Sequence, residues 1–419
     1  MMNFRLGKTE GIVKKHHAAI AMFLVLLVSY VLNAIDRSLF AIVAIDVRDA
    51  MGLSLPEVGL AATVFTLGMG LAGIPAGYLL GFMSRKAVVL LGLFVFSLAT
   101  LLTAYSNGLV DLLAYRLMSG LGEAMQVTAL IAIGASYFYT RRALMTGTIS
   151  FAYGIGSFGG PAMTASLLNA YGWKMPFIVF GLVGVVMMAI VALAVRPWFS
   201  ESEANEEQAS VDLGNRVSSG DSETIWNARS MALALAAVCA GVAVFGLAGL
   251  YPTYLRGALG FTPQQAALVM SAIGIGGFIA PLGGWLGDRL GYQKVLMIAL
   301  PLAALSGGCA FTELNRSVIL HSLAAGVFGI AVLSLLYANM SAIIIDSLGP
   351  AKTAQTSGLF IASYYIPAAF AGLLMAELKE VSNWTTAGIL QTSGFALIAM
   401  ILIMIAGATR KPAMSPVRT

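Results

Sequence analysis

Residues 175–195 read Met175-Pro-Phe-Ile-Val-Phe-Gly-Leu-Val-Gly-Val-Val-Met-Met-Ala-Ile-Val-Ala-Leu-Ala-Val195, without one charged side chain. About 20 apolar residues are enough for a helix to cross the hydrocarbon core of a bilayer, so this segment predicts a membrane-spanning helix. Comparable uncharged stretches occupy 16–35, 58–84, 87–110, 124–140, 143–173, 230–255, 257–287, 295–312, 317–345, 353–376 and 381–409, and residues 112–122 extend the fourth of the twelve spans backwards. The sequence therefore predicts twelve spans.

The composition supports this interpretation. Of the 419 residues, 59% are hydrophobic and only 10% are charged, against about 25% charged residues in soluble proteins. A mean hydropathy of +0.87 excludes a soluble enzyme, a nucleic-acid-binding protein and a disordered or disulfide-rich secreted protein, because the surface of a soluble chain has to be polar. We expect an all-α, polytopic membrane protein.

Metal and cofactor sites are not predicted. The two cysteines, Cys239 and Cys309, lie in apolar stretches, and the sequence has three histidines without a CxxC or HExxH motif. Gly7-Lys8-Thr9 resembles the end of a P-loop, but Met2 stands where that motif requires its first glycine. ATP is therefore not expected to supply the energy.

The polar, acidic segment 199–228 divides the predicted spans into six and six. We expect an N-terminal bundle over 1–198, a flexible linker over 199–228 and a C-terminal bundle over 229–419. A weak repeat supports this division, since Arg142-Ala-Leu-Met-Thr-Gly147 and Thr353-Ala-Gln-Thr-Ser-Gly358 open corresponding spans. Two related halves are typical of secondary transporters, whose substrate site lies between them near the membrane midplane.

The distribution of Lys and Arg predicts the orientation. With the N-terminus in the cytoplasm, 17 basic residues fall in inside segments and five in outside segments. The positive-inside rule then places both termini and the linker in the cytoplasm. We therefore attribute the net charge of +5 to the basic cytoplasmic segments of the membrane protein and not to a nucleic-acid partner. The membrane is expected to be a bacterial cytoplasmic membrane. We expect a protein surrounded by lipid that works as a monomer.

Several motifs carry a family resemblance. The loop after the eighth span reads Gly284-Trp-Leu-Gly-Asp288-Arg289-Leu-Gly291-Tyr-Gln-Lys294, and the fourth span contains Arg116-Leu-Met-Ser-Gly120-Leu-Gly122. Both resemble motifs of the major facilitator superfamily, over essentially the whole chain. The resemblance implies that Gly284, Asp288, Arg289 and Gly291, with Arg85 and Lys86 of the first-half copy, form a cytoplasmic gating motif. The first-half copy departs from the pattern, since Gly81 stands where the acid is expected.

Four charged residues lie well inside predicted spans: Asp36, Arg37, Arg116 and Glu123. Each charge at the centre of a membrane helix costs about 2.5–3.5 kcal/mol on insertion scales, so we expect the four to be paired. Arg116 and Glu123 are two helical turns apart and therefore share one face. A purely structural ion-pair network is one interpretation. In the other, protonation of Asp36 or Glu123 releases an arginine to bind an anionic substrate bidentately, so that proton and anion binding favour each other.

The second interpretation agrees with a closer resemblance to the anion:cation symporter branch of the superfamily. That resemblance implies proton coupling by Asp36 and Glu123 and substrate binding by Arg37 and Arg116. The sequence Gly122-Glu123-Ala124 equally resembles the spinster branch of lipid transporters, which shares the pair on the first span. The motifs leave the choice of branch open.

Further polar residues within spans are candidates for the cavity wall, with helix–helix packing as the alternative for each. They are Tyr30, Asn33, Gln126, Tyr153, Tyr254, Asn339, Tyr364 and Tyr365. His321 is expected at a surface or interface, at the outer end of the tenth span.

The sequence thus predicts proton-coupled symport of a small organic anion, such as a sugar acid, a dicarboxylate or an aromatic acid. A proton-coupled efflux antiporter is the first alternative, because Gly147, Gly156 and Gly160-Pro161 partly match an antiporter motif. A carrier of lysolipids or other amphiphiles is the second. An intramembrane enzyme is not expected, because the spans hold no Ser/His or metal constellation.

Overall fold

The computed structural model describes residues 2–138, 142–201, 227–347 and 353–408, and within these ranges the chain is helical with no strand. The first-half spans are α1 (Met2–Met51), α2 (Leu55–Thr63 and Phe65–Leu79), α3 (Arg85–Thr103), α4 (Leu109–Tyr137), α5 (Arg142–Tyr171) and α6 (Lys174–Ala194), with a short turn at Pro197–Ser200. Outside the described residues lie most of the predicted linker, the basic residue at position 352 and the basic residues near the C-terminus.

The second half repeats this order. Its spans are α7 (Ala228–Gly257), α8 (Pro263–Ile273, Ile275–Phe278 and Ala280–Leu290), α9 (Tyr292–Ala310), α10 (Val318–Gly329, Ile330–Leu336 and Tyr337–Ile345), α11 (Thr353–Ala368 and Ala371–Val381) and α12 (Trp384–Gly388, Ile389–Gly394 and Phe395–Ala408). The middle segments of α10 and α12 are π-helical.

Within the described residues, ten helices are long and apolar enough to cross a membrane, and the bent α8, with a 45° break, makes eleven. The 30-residue α5 occupies the place of the remaining predicted span. The prediction of an all-α membrane protein is confirmed. The helix bundle has two ends. We call the end at which α3 and α7 begin the terminal face, and the other end the opposite face.

Local sequence signals explain where the helices begin. Ser54 accepts a hydrogen bond from the backbone N–H of Glu57, and the Glu57 carboxylate accepts one from the Ser54 N–H. Thr262 and Gln265 make the same reciprocal pair before α8. Each pair satisfies N–H groups that the first turn leaves without partners. Gly291 separates α8 from α9 with a φ of 92°, a conformation in which glycine has no Cβ penalty.

Glycines bring the helices of the first half into backbone contact. A Cβ added at Gly122 on α4 would lie 2.6 Å from the Gly92 carbonyl oxygen on α3. On α5, Gly156 packs against Val31 and Gly160 against Ile35. Small residues allow membrane helices to approach closely, so Gly156 and Gly160 of the partial antiporter motif let α5 pack against α1.

The two halves meet along helix pairs from opposite bundles. Gly59 on α2 lies against the backbone of Gly372 on α11 at the opposite face, and Gly154 on α5 lies against Gly277 on α8 nearer the centre. At the opposite face Arg256 on α7 also makes an ion pair with Asp46 on α1. The described contacts between the halves thus include close backbone approaches at glycines, shared apolar side-chain packing and this ion pair near the opposite face.

The predicted gating residues lie at the terminal face. Asp288 accepts a hydrogen bond from the Tyr292 hydroxyl at 3.1 Å, and the guanidinium of Arg289 lies over the Trp285 ring. A Cβ at Gly284 would meet nothing within 4 Å. These contacts are all within the second half.

The first-half copy of the motif has a different acid. The Glu201 carboxylate accepts hydrogen bonds from the backbone N–H groups of Arg85 (2.9 Å) and Lys86 (3.2 Å) at the start of α3. The Lys86 ammonium donates to the carbonyl oxygens of Ala192 and Val195 at the end of α6. A carboxylate at the helix N-terminus is favourable because the unpaired N–H groups carry partial positive charge. Glu201 therefore supplies the negative charge that Gly81 lacks.

Candidate functional site

A cavity of 450 Å³ lies between the two halves near the middle of the bundle. The first half contributes wall residues from α1, α2, α4 and α5, and the second half from α7, α8, α10 and α11. Small-molecule sites typically occupy about 300–1,000 Å³. The cavity has room for a small organic molecule and stands where a substrate site between duplicated halves is expected.

The four intramembrane charges come together beside this cavity as two ion pairs between α1 and α4. Arg37 Nε donates to Glu123 Oε2 at 2.9 Å, and Arg116 Nη1 donates to Asp36 Oδ2 at 3.3 Å. The cluster carries two positive and two negative charges and is neutral overall. All four charges are thus paired, as the cost of an unpaired buried charge predicts.

Hydroxyl groups also donate hydrogen bonds to the two carboxylates. Asp36 accepts hydrogen bonds from Thr100 and from Ser119, both at 2.7 Å. The Ser119 hydroxyl also lies 3.4 Å from Glu123 Oε1, so it bridges the two acids. Asp36 therefore has three donors, whereas Glu123 depends mainly on Arg37.

Only one of the four charges reaches the cavity wall. Arg37 lines the cavity with 13% of its side chain exposed, and its two Nη groups donate to no described residue. Asp36, Arg116 and Glu123 are at most 1% exposed and do not line the cavity. Arg116, for which the family resemblance implies substrate binding, therefore does not reach the cavity wall in this conformation.

Arg116 packs against two aromatic rings, one of which lines the cavity. Its guanidinium carbon lies 5.3 Å from the Phe40 ring centre and 5.1 Å from that of Phe65, which is itself a wall residue. Its Nε and Nη2 groups are buried without a hydrogen-bond partner among the described residues. The rings offer favourable cation–π contacts, and Arg116 serves to hold Asp36. The spacing of residues along α4 correctly predicted the helix face on which Arg116 lies. It could not show which side chains of other helices cover that face.

Asn33 and Gln126 lie between α1 and α4 and do not line the cavity. Asn33 Nδ2 donates to the Glu123 carbonyl oxygen (3.2 Å) and to Gln126 Oε1 (3.3 Å), and Gln126 Nε2 donates to Ser29 (2.9 Å). Both side chains are fully buried. They have the packing role that was the alternative for each, and they fix the position of α1 against Glu123.

Four of the predicted tyrosines line the cavity: Tyr30, Tyr153, Tyr364 and Tyr365. The Arg37 guanidinium carbon lies 5.4 Å from the Tyr153 ring centre, and the Tyr30 ring packs beside Tyr153. The sequence analysis missed Tyr337, another wall residue, whose hydroxyl accepts a hydrogen bond from Tyr365 at 3.1 Å. It also missed Phe245. Neither residue belongs to a motif, and the sequence alone does not show whether an aromatic residue in a span faces a cavity or a neighbouring helix.

Tyr254 and Asn339 are elsewhere. Asn339 Nδ2 donates to the carbonyl oxygens of Gly283 (3.0 Å) and Leu335 (2.7 Å), so it joins α8 to α10. Tyr254 belongs to a buried aromatic cluster near the opposite face, with its ring 5.4 Å from that of Phe311. His321 lies in the same cluster, fully buried, and Nδ1 is 2.8 Å from the Tyr251 hydroxyl. His321 is therefore not at the surface, because Tyr251 and Tyr254 on α7 and Phe261, which precedes α8, pack against its ring.

No group of three or more potential metal-ligating side chains occurs within the part of the chain that the structure describes. The exchange that the geometry allows is at the Arg37 guanidinium, where a bound anion can replace the Glu123 carboxylate as its partner. That chemistry suits binding and release rather than bond cleavage.

The sequence profile of the Major Facilitator Superfamily matches residues 26–372 and 233–418. The chain belongs to this superfamily. It is accordingly a multi-pass membrane transporter and not an enzyme, and the family resemblance predicted from its motifs is confirmed.

Curated relatives within the major facilitator superfamily include carriers of organic acids. The probable L-galactonate transporter of Escherichia coli is 28% identical over 165 residues, which are 39% of this chain and 36% of that protein. The 4-hydroxybenzoate transporter of Pseudomonas aeruginosa is 23% identical over 320 residues, 70% of this chain and 71% of that protein. A solved bacterial homologue of the human lysosomal transporter spinster, in an inward-facing and occupied conformation, covers 93% of this chain and 98% of its own with a TM-score of 0.72 and 18% identity. This last likeness shows the fold.

Proposed function

We propose that this chain imports a small organic anion together with protons, by alternating access across the bacterial cytoplasmic membrane with both termini in the cytoplasm. The observation that carries the proposal is the position of Arg37. It is the charged side chain on the described cavity wall, and its partner is the buried carboxylate of Glu123 at 2.9 Å. Organic acids are also the substrates named for the relatives from Escherichia coli and Pseudomonas aeruginosa.

The pair couples the two ligands through charge. While Glu123 is ionised it neutralises Arg37, and an anion entering beside them gains little attraction. When a proton neutralises Glu123, Arg37 becomes an unbalanced charge in a buried place, a state that costs several kcal/mol. An anionic substrate relieves that cost by binding the Nη groups, which donate to no described residue.

A carboxylate can accept two parallel hydrogen bonds from the arginine fork, which favours substrates with a carboxylate group. Because the coupling is reciprocal, bound anion raises the affinity for the proton by the same factor as the proton raises that for the anion. A coupling of about 3 kcal/mol corresponds to roughly 150-fold.

The second ion pair has a different role. Asp36 accepts from Thr100, Ser119 and Arg116, and none of these donors lines the cavity. We therefore assign the substrate-linked proton to Glu123, and to Asp36 and Arg116 the support of α4 against α1. The Ser119 hydroxyl, between the two acids, offers a step by which a proton can pass from one to the other.

The test is transport in proteoliposomes with imposed pH gradients of both signs, using radiolabelled 4-hydroxybenzoate, galactonate and succinate. We expect uptake of at least one acid when the outside is acidic, and loss of this pH-driven accumulation in Glu123→Gln. Exchange of labelled for unlabelled acid should persist in that variant, because Arg37 remains. The matched control is Glu57→Gln, which alters an exposed carboxylate at the start of α2.

Full pH-driven uptake by Glu123→Gln would contradict the mechanism. Proton release on addition of cationic drugs would favour the antiporter. Transport of lysolipid without dependence on a carboxylic acid would favour the amphiphile carrier.

A further inference from the structure

The wall of the cavity has little charge and a large aromatic surface. Among the described wall residues, Arg37 is the one charged side chain. The described wall residues of the second half carry no charge but include several rings, from Phe245 on α7, Tyr337 on α10, and Tyr364 and Tyr365 on α11. One end of a ligand can therefore be anionic, and the rest has to lie against aromatic side chains.

These rings form one continuous surface. Phe245 lies 6.0 Å from Tyr364 and 5.9 Å from Tyr365, and Tyr337 lies 5.5 Å from Tyr364, between ring centres. Phe65, from the first half, is 6.0 Å from Phe245. Aromatic rings prefer offset or edge-to-face neighbours at centroid separations of about 4.5–7 Å, so a flat ring can join this set.

Apart from the guanidinium of Arg37, the polar side chains on the described wall are of one kind. They are hydroxyls of Ser, Thr and Tyr residues. The amides of Asn33, Gln126 and Asn339 are engaged between helices instead. Some of the wall hydroxyls already donate within the protein, as Ser38 does to the Ile35 carbonyl oxygen and Thr63 to that of Ala369. A polyhydroxylated acid would bury many hydroxyls against a described wall that offers them neither an amide nor a carboxylate, and sites reject ligands that leave buried polar groups unpaired. A dicarboxylate would bring a second charge for which the described wall has no cation.

We propose that the site selects monocarboxylates carried on a planar aromatic ring, and this inference rests on the proposed function. The carboxylate binds the Nη groups of Arg37, and the ring lies on the surface formed by Phe245, Tyr364 and Tyr365. The Tyr337–Tyr365 pair contacts a polar substituent on the ring. Tyr365 donates to Tyr337, so the Tyr337 hydroxyl can still donate its own proton and the Tyr365 oxygen can still accept.

The test compares ligands of known charge and shape on the purified protein. Binding at pH 6 is measured by calorimetry for benzoate, 4-hydroxybenzoate, cyclohexanecarboxylate, terephthalate and gluconate. We expect the two benzoates to bind at least tenfold more tightly than gluconate and terephthalate. Benzoate should also bind more tightly than cyclohexanecarboxylate, by about 2- to 12-fold, which is the usual contribution of aromatic pairing beyond buried area.

Two variants assign the contacts. Phe245→Leu should weaken benzoate binding by a similar 2- to 12-fold while changing cyclohexanecarboxylate binding less. Tyr337→Phe should reduce the preference for 4-hydroxybenzoate over benzoate. The matched control is Phe94→Leu, at a residue of α3 that is half exposed on the outside of the bundle and absent from the wall; its affinities should be unchanged.

Tighter binding of gluconate or terephthalate than of benzoate overturns this inference. If those acids still show uptake that depends on the pH gradient and on Glu123, the proposed function stands and only the substrate class is wrong. If no organic acid is taken up in response to a pH gradient, the proposed function itself fails. Equal weakening of every ligand by Phe245→Leu would show that the ring acts in folding and not in selection.

Discussion

The ion pair between Asp46 on α1 and Arg256 on α7 should hold the two halves together at the opposite face. Arg256 Nη1 donates to Asp46 Oδ2 at 2.6 Å and to the Ile42 carbonyl oxygen at 2.7 Å, and Nη2 donates to Asp46 Oδ1 at 3.1 Å. When the halves part at this face, all three hydrogen bonds must break. The pair therefore favours the conformation seen here over one that is open at the opposite face.

The magnitude follows from the geometry and the exposure. Hydrogen bonds to charged groups contribute about 1.5–3 kcal/mol when buried, but exposed pairs contribute about 0–1 kcal/mol. The side chains of Arg256 and Asp46 are 11% and 28% exposed, so we take about 1.5 kcal/mol for the bidentate pair. That is roughly a tenfold shift in the ratio of closed to open populations.

The assay is a double-mutant cycle read out by pulsed electron paramagnetic resonance. Spin labels are placed at exposed positions Asp49 and Glu380, at the opposite-face ends of α1 and α11, after replacement of Cys239 and Cys309 by alanine. Asp46→Asn, Arg256→Gln and the double variant should each increase the population at longer distance, by about tenfold relative to the closed form.

The double variant should show little beyond either single one, because both singles remove the same pair. The control is Glu313→Gln, which removes an exposed pair with Arg316 at the same face, 61–70% exposed and 3.8 Å long. A coupling energy near zero between Asp46 and Arg256, or an unchanged distance distribution, would refute the reasoning.

Three further predictions follow from other contacts. Arg116→Met leaves the carboxylate of Asp36 buried without a cation, which should cost about 3–5 kcal/mol and lower the thermal unfolding midpoint in detergent; addition of Asp36→Asn should restore part of it. Gly372→Ala places a Cβ against the Gly59 carbonyl oxygen, so the spin-label distance at the opposite face should lengthen, and an unchanged distance would show that the α2–α11 contact yields easily. Glu201→Gln removes a charge from the start of α3, and the unfolding midpoint should fall slightly, in keeping with about 0.3–1 kcal/mol; a fall as large as that of Arg116→Met would disagree with a role limited to capping.

Patterns that depend on membrane physics were predictable from the sequence. The uncharged stretches located the helices because a bilayer requires a fixed apolar length. The four intramembrane charges were expected to pair because an unpaired charge is costly there, and the pairs Arg37–Glu123 and Arg116–Asp36 are present. The loop predicted after the eighth span is also present, with Gly291 at a positive φ between α8 and α9.

Which side chain faces the cavity was much less predictable. Helical spacing relates residues on one helix, but the exposure of Arg116 depends on Phe40 and Phe65, which come from two other helices. His321 was expected at a surface because it stands near a helix end, yet its neighbours reach it from distant parts of the chain. Phe245 and Tyr337, two wall residues of the second half, were missed for the same reason. Tertiary packing, which periodicity does not describe, decides these cases.

The balance of charge in the cluster has a consequence for what can drive transport. Asp36, Arg37, Arg116 and Glu123 sum to zero, and one proton together with one monocarboxylate leaves that sum at zero. The cluster is then uncharged, both loaded and empty, when the site changes the side of the membrane to which it opens. A membrane potential performs work of about 2.3 kcal/mol per 100 mV on each charge moved, and here it would act on none. Accumulation with this stoichiometry would follow the pH difference alone and would be indifferent to voltage, so that potassium-diffusion potentials of either sign should leave the final uptake unchanged.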